Sequence, residues 1–189
     1  MTEDTRSQRE RMLAGDLYIA NDPELAAASL RAAELMKAFN DSSPSDEAEQ
    51  RRLLVELLGS LGDDTVIRPP FYCDYGSHTH VGARTFVNFG LVALDVAPIH
   101  IGDDVQIAPY VQLLTATHPL EPEPRRAKWE SGAPITIEHN VWLGGGVVVC
   151  PGVTIGADTV VGAGAVVTKD LPAGVMAAGV PARVVRPLE

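Results

Sequence analysis

The chain has 189 residues, 46% of them hydrophobic and 21% charged, which indicates one domain with a packed core and excludes extensive disorder. Its formal net charge of −10 disfavours a nucleic-acid partner, because proteins that bind nucleic acids present basic surfaces. No apolar run reaches the roughly 18 residues of a membrane-spanning helix, and the charged start of the chain lacks the apolar region of a secretory signal, so we expect a soluble, cytoplasmic protein.

Residues 1–63 are predicted to form an N-terminal helical cap. Asp22, Pro23 and Glu24 are typical of a helix start, with an N-cap, a proline at the first helical position and an acid in the first turn. The next apolar residues recur at helical spacing: Leu25, Ala28, Ala32, Leu35 and Phe39. A shorter helix is predicted over residues 7–14, and a further helix after Pro44 has its own apolar stripe: Leu53, Leu54, Leu57, Leu58 and Leu61. We expect these stripes to pack on the rest of the chain.

Further along the chain, apolar residues recur every six positions. One row contains Ile137, Leu143, Val149, Ile155, Val161 and Val167, and the earlier residues Ile101, Ile107 and Leu113 are in the same phase. A second row precedes the first by two positions: Ile135, Val141, Val147 and Val153, then the small residues Thr159 and Ala165. A period of six belongs neither to a helix nor to a strand, and is typical of a hexapeptide solenoid in which each unit forms one side of a coil. We therefore predict a mainly β fold, a parallel β-helix over residues 64–171.

Two segments depart from this repeat. Residues 115–134 contain four prolines and no hexapeptide pattern, which predicts a loop that leaves the coil, and long loops of this kind are often functional. Residues 172–189 are predicted to be a C-terminal extension. His118 lies at the start of the loop, and its unperturbed pKa of about 6.5 suits a general base near neutral pH.

Several short motifs accompany the repeat. They are Arg11-Met12-Leu13-Ala14-Gly15-Asp16-Leu17-Tyr18, Cys73-Asp74-Tyr75-Gly76, Thr117-His118-Pro119, Asn140-Val141-Trp142-Leu143-Gly144-Gly145-Gly146 and Ala178-Gly179-Val180-Pro181-Ala182-Arg183. Together they resemble the maltose and galactoside O-acetyltransferases over nearly the whole chain. The resemblance implies a left-handed β-helix, a homotrimer, and transfer of an acetyl group from acetyl-CoA to a sugar hydroxyl by direct attack in a ternary complex.

The same resemblance assigns the acceptor side of the site. It makes His118 the general base for the acceptor hydroxyl. Carboxylates and amides exchange several hydrogen bonds with vicinal hydroxyls, and the implied acceptor contacts are of this kind: Asp74, Asn88, Asp95 and Glu130. Asp95 is also a charge inside an apolar stretch. The galactoside branch has an Asp in its cap where this chain has Ala20, so the expected acceptor is maltose-like or glucose-like rather than a galactoside.

The donor side is assigned to the second half of the chain. The resemblance implies coenzyme A contacts at Gly145, Ala163, Thr168, Lys169, Arg183 and Arg186. Trp142 lies either beside the donor or at a contact between subunits. Residues 163–189 contain three basic and two acidic residues in a strongly acidic chain, which favours an anion site there.

Other functions remain open from the sequence. The acceptor is alternatively an antibiotic, an amino sugar or an oligosaccharide, and a non-enzymatic β-helical scaffold is a further alternative. No metal is expected, because zinc needs at least three ligands and the remaining histidines are expected to be structural or exposed: His78, His80, His100 and His139. Cys73 and Cys150 form no disulfide framework and are not expected to act as nucleophiles.

Overall fold

A computed structural model of the chain describes residues 5–188, and its N-terminal part is the predicted helical cap. The elements of the cap are α1 (Gln8–Leu13), β1 (Tyr18–Ile19), α2 (Pro23–Asn40) and α3 (Glu47–Leu57). Helix α2 begins at the predicted N-cap, where the Asp22 carboxylate accepts from the backbone N–H groups of Glu24 and Leu25. Helix α3 ends at Leu57, so Leu58 and Leu61 lie beyond the helix to which they were assigned. None of the helices within residues 5–188 is long and apolar enough to cross a bilayer.

After the cap, the chain forms a parallel β-helix of about six turns. The strands of its first turns are β2 (Ser60–Leu61), β3 (Val66–Ile67), β4 (Phe71–Cys73), β5 (Thr79–Val81), β6 (Phe86–Val87), β7 (Leu91–Leu94), β8 (Ile99–Ile101), β9 (Gln106–Ile107) and β10 (Gln112–Leu114). The loop of residues 115–134 follows, called the excursion below because it leaves the coil, and it contains β11 (Ala116–Thr117), α4 (Pro122–Arg126) and β12 (Trp129–Gly132). The later strands are β13 (Ile135–Ile137), β14 (Trp142–Leu143), β15 (Val148–Val149), β16 (Thr154–Ile155), β17 (Val160–Val161), β18 (Val166–Val167), β19 (Val175–Ala178) and β20 (Arg183–Pro187).

The coil has three flat faces, one for each parallel sheet. Face 1 contains β2, β5, β8, β13 and β16; face 2 contains β3, β6, β9, β14, β17 and β19; face 3 contains β4, β7, β10, β15 and β18. Strand β20 closes the end of face 2 by antiparallel pairing with β19. Each corner is named below by the two faces that it joins.

The six-residue rows form the interior of the coil, as predicted. Ile101, Ile137 and Ile155 are paired in register on neighbouring strands of face 1, and each is at most 4% exposed. Successive turns also approach closely at the corners. A Cβ atom on Gly144 would lie 2.5 Å from the backbone nitrogen of Ala163, so only glycine allows the two turns to stack there.

The excursion is more ordered than a plain loop. Strands β11 and β12 form an antiparallel hairpin, and β1 of the cap pairs with β12 to make a third strand, with Tyr18 opposite Glu130. The two ends of the excursion are joined by a hydrogen bond of 3.0 Å from the Ala133 N–H to the Thr115 carbonyl oxygen. The cap is therefore attached directly to the excursion.

Two predicted boundaries differ from the structure. The coil begins with β2, inside the segment assigned to the cap, and its last turn includes β19, inside the segment assigned to the C-terminal extension. Neither strand continues the apolar rows of the central repeat, which is why the periodicity missed them. Residues 1–4 of the predicted cap and residue 189 of the extension lie outside the described residues.

Candidate active site

A cavity of about 570 Å³ lies between the cap, the coil and the excursion. Its cap wall consists of Tyr18, Ala20, Leu25, Ala26 and Ser29. The coil contributes Asp74, Tyr75, Leu94 and Val96, and the excursion contributes Ala116, His118 and Glu130. Three of the predicted site residues, Asp74, His118 and Glu130, are therefore brought together from distant parts of the sequence.

His118 directly follows β11, and its side chain is exposed at the cavity. Its Nδ1 atom lies 3.4 Å from the carbonyl oxygen of Trp129 on β12. A carbonyl oxygen can only accept, so this contact is a hydrogen bond when Nδ1 carries the proton, and the lone pair of Nε2 is then free.

Asp74 and Glu130 place two carboxylates in the cavity wall. Burial, followed by the negative charges of Asp95 and Glu130, raises the pKa of Asp74 to about 6. Burial is also the main cause of the raised pKa of Tyr75, about 12, with Asp74 and Glu130 adding to it. The pKa of Tyr18 is raised well above its ordinary value, by burial first and then by Glu130. The two tyrosines are therefore neutral near neutral pH, and the carboxyl group of Asp74 loses its charge as the pH falls through about 6.

Asp95 is completely buried beneath this wall. Its Oδ1 accepts from the backbone N–H groups of Asp74 (3.1 Å) and Tyr75 (2.8 Å), and its Oδ2 accepts from the N–H of His78 (3.2 Å) and the hydroxyl of Thr79 (3.1 Å). Its carboxylate has no exposed surface in this structure, and both of its oxygens accept hydrogen bonds from the chain itself. It fixes the turn that presents Asp74 and Tyr75.

Asn88 lies at a different corner of the coil. It follows β6 at the 2–3 corner, where its Oδ1 accepts from the N–H of Phe89 at 2.9 Å. His118 leaves the coil at the 3–1 corner, between β10 and β13. Within one chain the structure therefore does not bring Asn88 to His118.

Most of the predicted donor residues lie along the 2–3 corner and the adjacent face 2. Gly145 and Ala163 occupy this corner in successive turns, where the Gly164 N–H donates to the Gly145 carbonyl oxygen at 2.8 Å. Trp142 is 54% exposed on face 2, and Arg183 and Arg186 are exposed on β20 at the end of that face. Thr168 and Lys169 are exposed too, but they follow β18 and lie at the 3–1 corner.

The other histidines and the cysteines lie outside the cavity lining. His80 and His100 stack on face 1 with ring centroids 5.0 Å apart, and burial is the main reason that the pKa of His80 is lowered. Both cysteines are free, and burial raises the pKa of the Cys73 thiol. Within residues 5–188, no three His, Cys, Asp or Glu side chains are arranged to hold a metal ion.

The sequence did not predict the cap residues and Tyr75 as parts of the cavity wall. Ala20 was singled out only for the aspartate that it replaces. Tyr75 adjoins Asp74 in sequence, which was the available signal. Tyr18, Leu25, Ala26 and Ser29 gave none, because their place in the wall depends on the pairing of β1 with β12, which is remote in sequence.

Comparisons with known proteins agree with this architecture. Residues 11–62 match the maltose acetyltransferase hexapeptide capping motif, and residues 134–169 match six bacterial transferase hexapeptide repeats. Nodulation protein L of Rhizobium meliloti (strain 1021) is 51% identical, over 95% of this chain and 98% of that protein.

Solved structures are also similar. The crystal structure of a maltose O-acetyltransferase from Clostridium difficile 630 superposes with a TM-score of 0.97 and 40% identity, over 98% of this chain and 100% of that one. A galactoside acetyltransferase in complex with coenzyme A superposes with a TM-score of 0.94 and 40% identity, over 98% of this chain and 92% of that one. The predicted left-handed β-helix is thereby confirmed. The chain belongs to the maltose and galactoside O-acetyltransferase family, as its capping motif, its hexapeptide repeats and these similarities show.

Proposed function

We propose that this protein transfers an acetyl group from acetyl-CoA to a hydroxyl group of a sugar, with His118 as the general base. The observation that carries the proposal is the position of His118, which lines a cavity large enough for a sugar together with Asp74 and Glu130 and has its Nδ1 within 3.4 Å of the Trp129 carbonyl oxygen. Membership of an acetyltransferase family, one member of which was solved with coenzyme A, supports the choice of donor.

The proposed reaction is a direct transfer. Nε2 of His118 takes the proton from the acceptor hydroxyl while the hydroxyl oxygen attacks the thioester carbon of acetyl-CoA. The C–O bond of the ester forms, the C–S bond breaks, and the departing thiolate takes the proton from the imidazolium. No acyl-enzyme is required, and neither Cys73 nor Cys150 lines the cavity.

Asp74 and Glu130 are the proposed acceptor contacts, because both carboxylates line the cavity beside His118. Asp95 acts through Asp74 and Tyr75 and is a positioning residue rather than a contact. Coenzyme A is proposed to run along the 2–3 corner past Gly145 and Ala163, with Trp142 beside it. Its phosphates would pair with the basic residues implied by the resemblance, which are Arg183 and Arg186 on β20 and Lys169, next to Thr168, at the 3–1 corner.

The placement of these residues supports a homotrimer. Asn88 and the proposed donor residues Gly145 and Ala163 lie at the 2–3 corner, whereas the cavity opens at the 3–1 corner. Within one chain, the donor residues are therefore separated from the acceptor cavity. Three coils packed corner to corner would place the 2–3 corner of one subunit against the excursion of the next. Light scattering should then give a mass of about 60 kDa, three times the 20.1 kDa of the chain. The two free cysteines are consistent with a cytoplasmic enzyme.

The decisive experiment is thiol release from acetyl-CoA in the presence of sugars, comparing the wild type with His118→Ala. Loss of the base should lower kcat by about 100-fold or more. Coenzyme A binding and thermal unfolding should not change, since the side chain is exposed. His100→Ala, an exposed histidine on face 1, is the matched control and should keep full activity. A His118→Ala enzyme with wild-type turnover would exclude the mechanism, and absence of coenzyme A binding in calorimetry would favour the scaffold alternative.

A further inference from the structure

The pairing of β1 with β12 brings a side chain of the cap beside a side chain of the excursion. Tyr18 lies directly opposite Glu130, and opposite residues of an antiparallel pair project from the same face of the sheet. Both residues line the cavity together with His118. The next pair is Ile19 with Trp129, whose carbonyl oxygen lies 3.4 Å from Nδ1 of His118. The cap therefore meets the hairpin at the residues that face the cavity and support His118.

The side chain of Tyr18 forms a hydrogen bond with the side chain of Glu130. Burial, followed by the charge of Glu130, raises the pKa of Tyr18 well above its ordinary value, so the phenol keeps its proton near neutral pH. The phenol is therefore the donor of this bond and the carboxylate is the acceptor. Hydrogen bonds to a charged acceptor are about twice as strong as those between neutral groups.

Packing alone does not account for this hydroxyl. The ring of Tyr18 is fully buried in a small cluster with four other side chains: Met12, Leu25, Tyr75 and Val96. A phenylalanine ring would fill the same space, and a buried hydroxyl is costly unless it is hydrogen-bonded. The hydroxyl therefore serves the contact with Glu130 rather than the packing of the cluster.

Strand β1 is itself anchored within the cap. The Ile19 N–H donates to Oε1 of Gln8, the first residue of α1, at 2.8 Å, and Met12 of the same helix is buried against Tyr18. The phenol thus belongs to a packed and hydrogen-bonded element, whereas Glu130 lies on a hairpin that leaves the coil. A fixed donor behind the carboxylate restricts the positions that the Glu130 side chain can adopt.

We infer that Tyr18 is a positioning residue for the acetyl transfer: its hydroxyl donates to the Glu130 carboxylate and holds it in the cavity wall, where the carboxylate binds the acceptor. The inference rests on the proposed function, in which Glu130 contacts the acceptor. A carboxylate accepts several hydrogen bonds, so Glu130 can bind the phenol and a sugar hydroxyl at once. Because Tyr18 acts through Glu130, its hydroxyl should matter for acceptor binding and not for donor binding or for proton transfer at His118.

The test is a double-mutant cycle of Tyr18→Phe and Glu130→Ala, measured with acetyl-CoA and maltose. Tyr18→Phe keeps the buried ring and removes only the donor. We expect this variant to raise the KM for maltose by about tenfold, while kcat changes by less than about twofold and the affinity for coenzyme A stays the same. In the Glu130→Ala background, Tyr18→Phe should change the KM by less than about twofold, because the partner of the hydroxyl is already absent.

Tyr72→Phe is the matched control. It removes the same hydroxyl from an exposed position on β4 outside the cavity lining, and it should leave the KM for maltose unchanged. Thermal unfolding shows whether each variant is folded. The midpoint for Tyr18→Phe should fall by no more than about 4 °C, which is the shift expected for one lost hydrogen bond in a chain of this length.

The inference and the proposed function fail in different ways. The inference is overturned if the wild type binds no maltose, if Tyr18→Phe has an unchanged KM, or if it raises the KM equally with and without Glu130. Calorimetric titration of maltose into the complex with coenzyme A gives the same cycle without turnover. If the coupling appears there but no sugar supports thiol release, the inference stands and the proposed acetyl transfer fails. If His118→Ala loses activity but the cycle is additive, the transfer stands and the inference fails.

Discussion

Asp95 shows at the scale of single residues both what the sequence can indicate and what it cannot. A charge within the apolar stretch 91–101 stood out in the sequence and predicted a special role. An aspartate serves equally well as a ligand contact or as an acceptor for backbone N–H groups, and the choice depends on what folds around it. Here the turn of residues 74–79 surrounds it and uses both carboxylate oxygens.

Replacement of Asp95 should therefore affect stability before catalysis. Asp95→Ala leaves three backbone N–H groups and one hydroxyl without their buried acceptor, which should cost about 3 kcal/mol or more. For a chain of this length, the midpoint of thermal unfolding should fall by roughly 6 °C or more. An unchanged midpoint in differential scanning calorimetry would contradict the positioning role.

Replacement of Asp74 should have the opposite effect on stability. Its pKa is about 6 in the folded chain and lower in the unfolded one, so the native state binds the proton more tightly and stability falls as pH rises between about 4 and 6. Asp74→Asn removes this penalty. We expect the variant to exceed the wild type by about 1 kcal/mol at pH 7.5, after allowance for solvent screening, and to match it at pH 4. Thermal unfolding at both pH values tests this, and a variant less stable at pH 7.5 than at pH 4, relative to the wild type, would refute it.

At the scale of elements, periodicity predicted the strands of the central coil but not the hairpin of the excursion. The inward positions of β13 to β18 repeat every six residues, so the apolar pattern of the sequence predicts where these strands lie. Strands β1, β11 and β12 are short, and β1 pairs with β12 across more than a hundred residues, so no local pattern predicts this pairing. The sequence did not predict that the cap forms a wall of the site, because that placement depends on the same distant pairing.

The three consecutive glycines after β14 allow a comparison within one corner. Gly144→Ala should be severely destabilising, by about 3 kcal/mol, because its Cβ would meet backbone atoms of the next turn at 2.5 Å. Gly146→Ala meets no atom within 4 Å but has a φ of +68°, so it should cost about 1 kcal/mol. Gly145→Ala finds its nearest atom at 3.6 Å and should leave stability unchanged.

The affinity for coenzyme A should rank the same glycine variants differently from their stability. If the donor lies along the 2–3 corner, Gly145→Ala should weaken its binding by about tenfold although the fold is intact. Calorimetric titration beside thermal unfolding gives both quantities. Unchanged binding by Gly145→Ala would remove this residue from the proposed donor site.

For the whole molecule, the interior column of the coil is the main source of stability. The sequence predicted this column well because every turn needs apolar residues at the same six-residue spacing. What it could not predict was the relation between corners: Asn88 and His118 looked like parts of one site, and the structure places them at different corners of the chain.

A charge placed in this column should unfold the chain. Ile155 is fully buried and paired in register with Ile137, so Ile155→Asp should cost about 3 kcal/mol or more as an unpaired buried charge. Leu30→Asp, at a position 62% exposed on α2, introduces the same charge and should be tolerated. Equal melting temperatures for the two variants would contradict the interior placement of Ile155.

The hydrogen bond between Ala133 and Thr115 bears on how proteins of this fold can evolve. Because the excursion starts and ends at one point, and β8 pairs directly with β13 across it, the coil is continuous whatever lies between. Replacement, lengthening or loss of the inserted segment alters no register in the scaffold. New acceptors can therefore be acquired by exchanging the insert and the cap that it holds, while the interior rows are inherited unchanged.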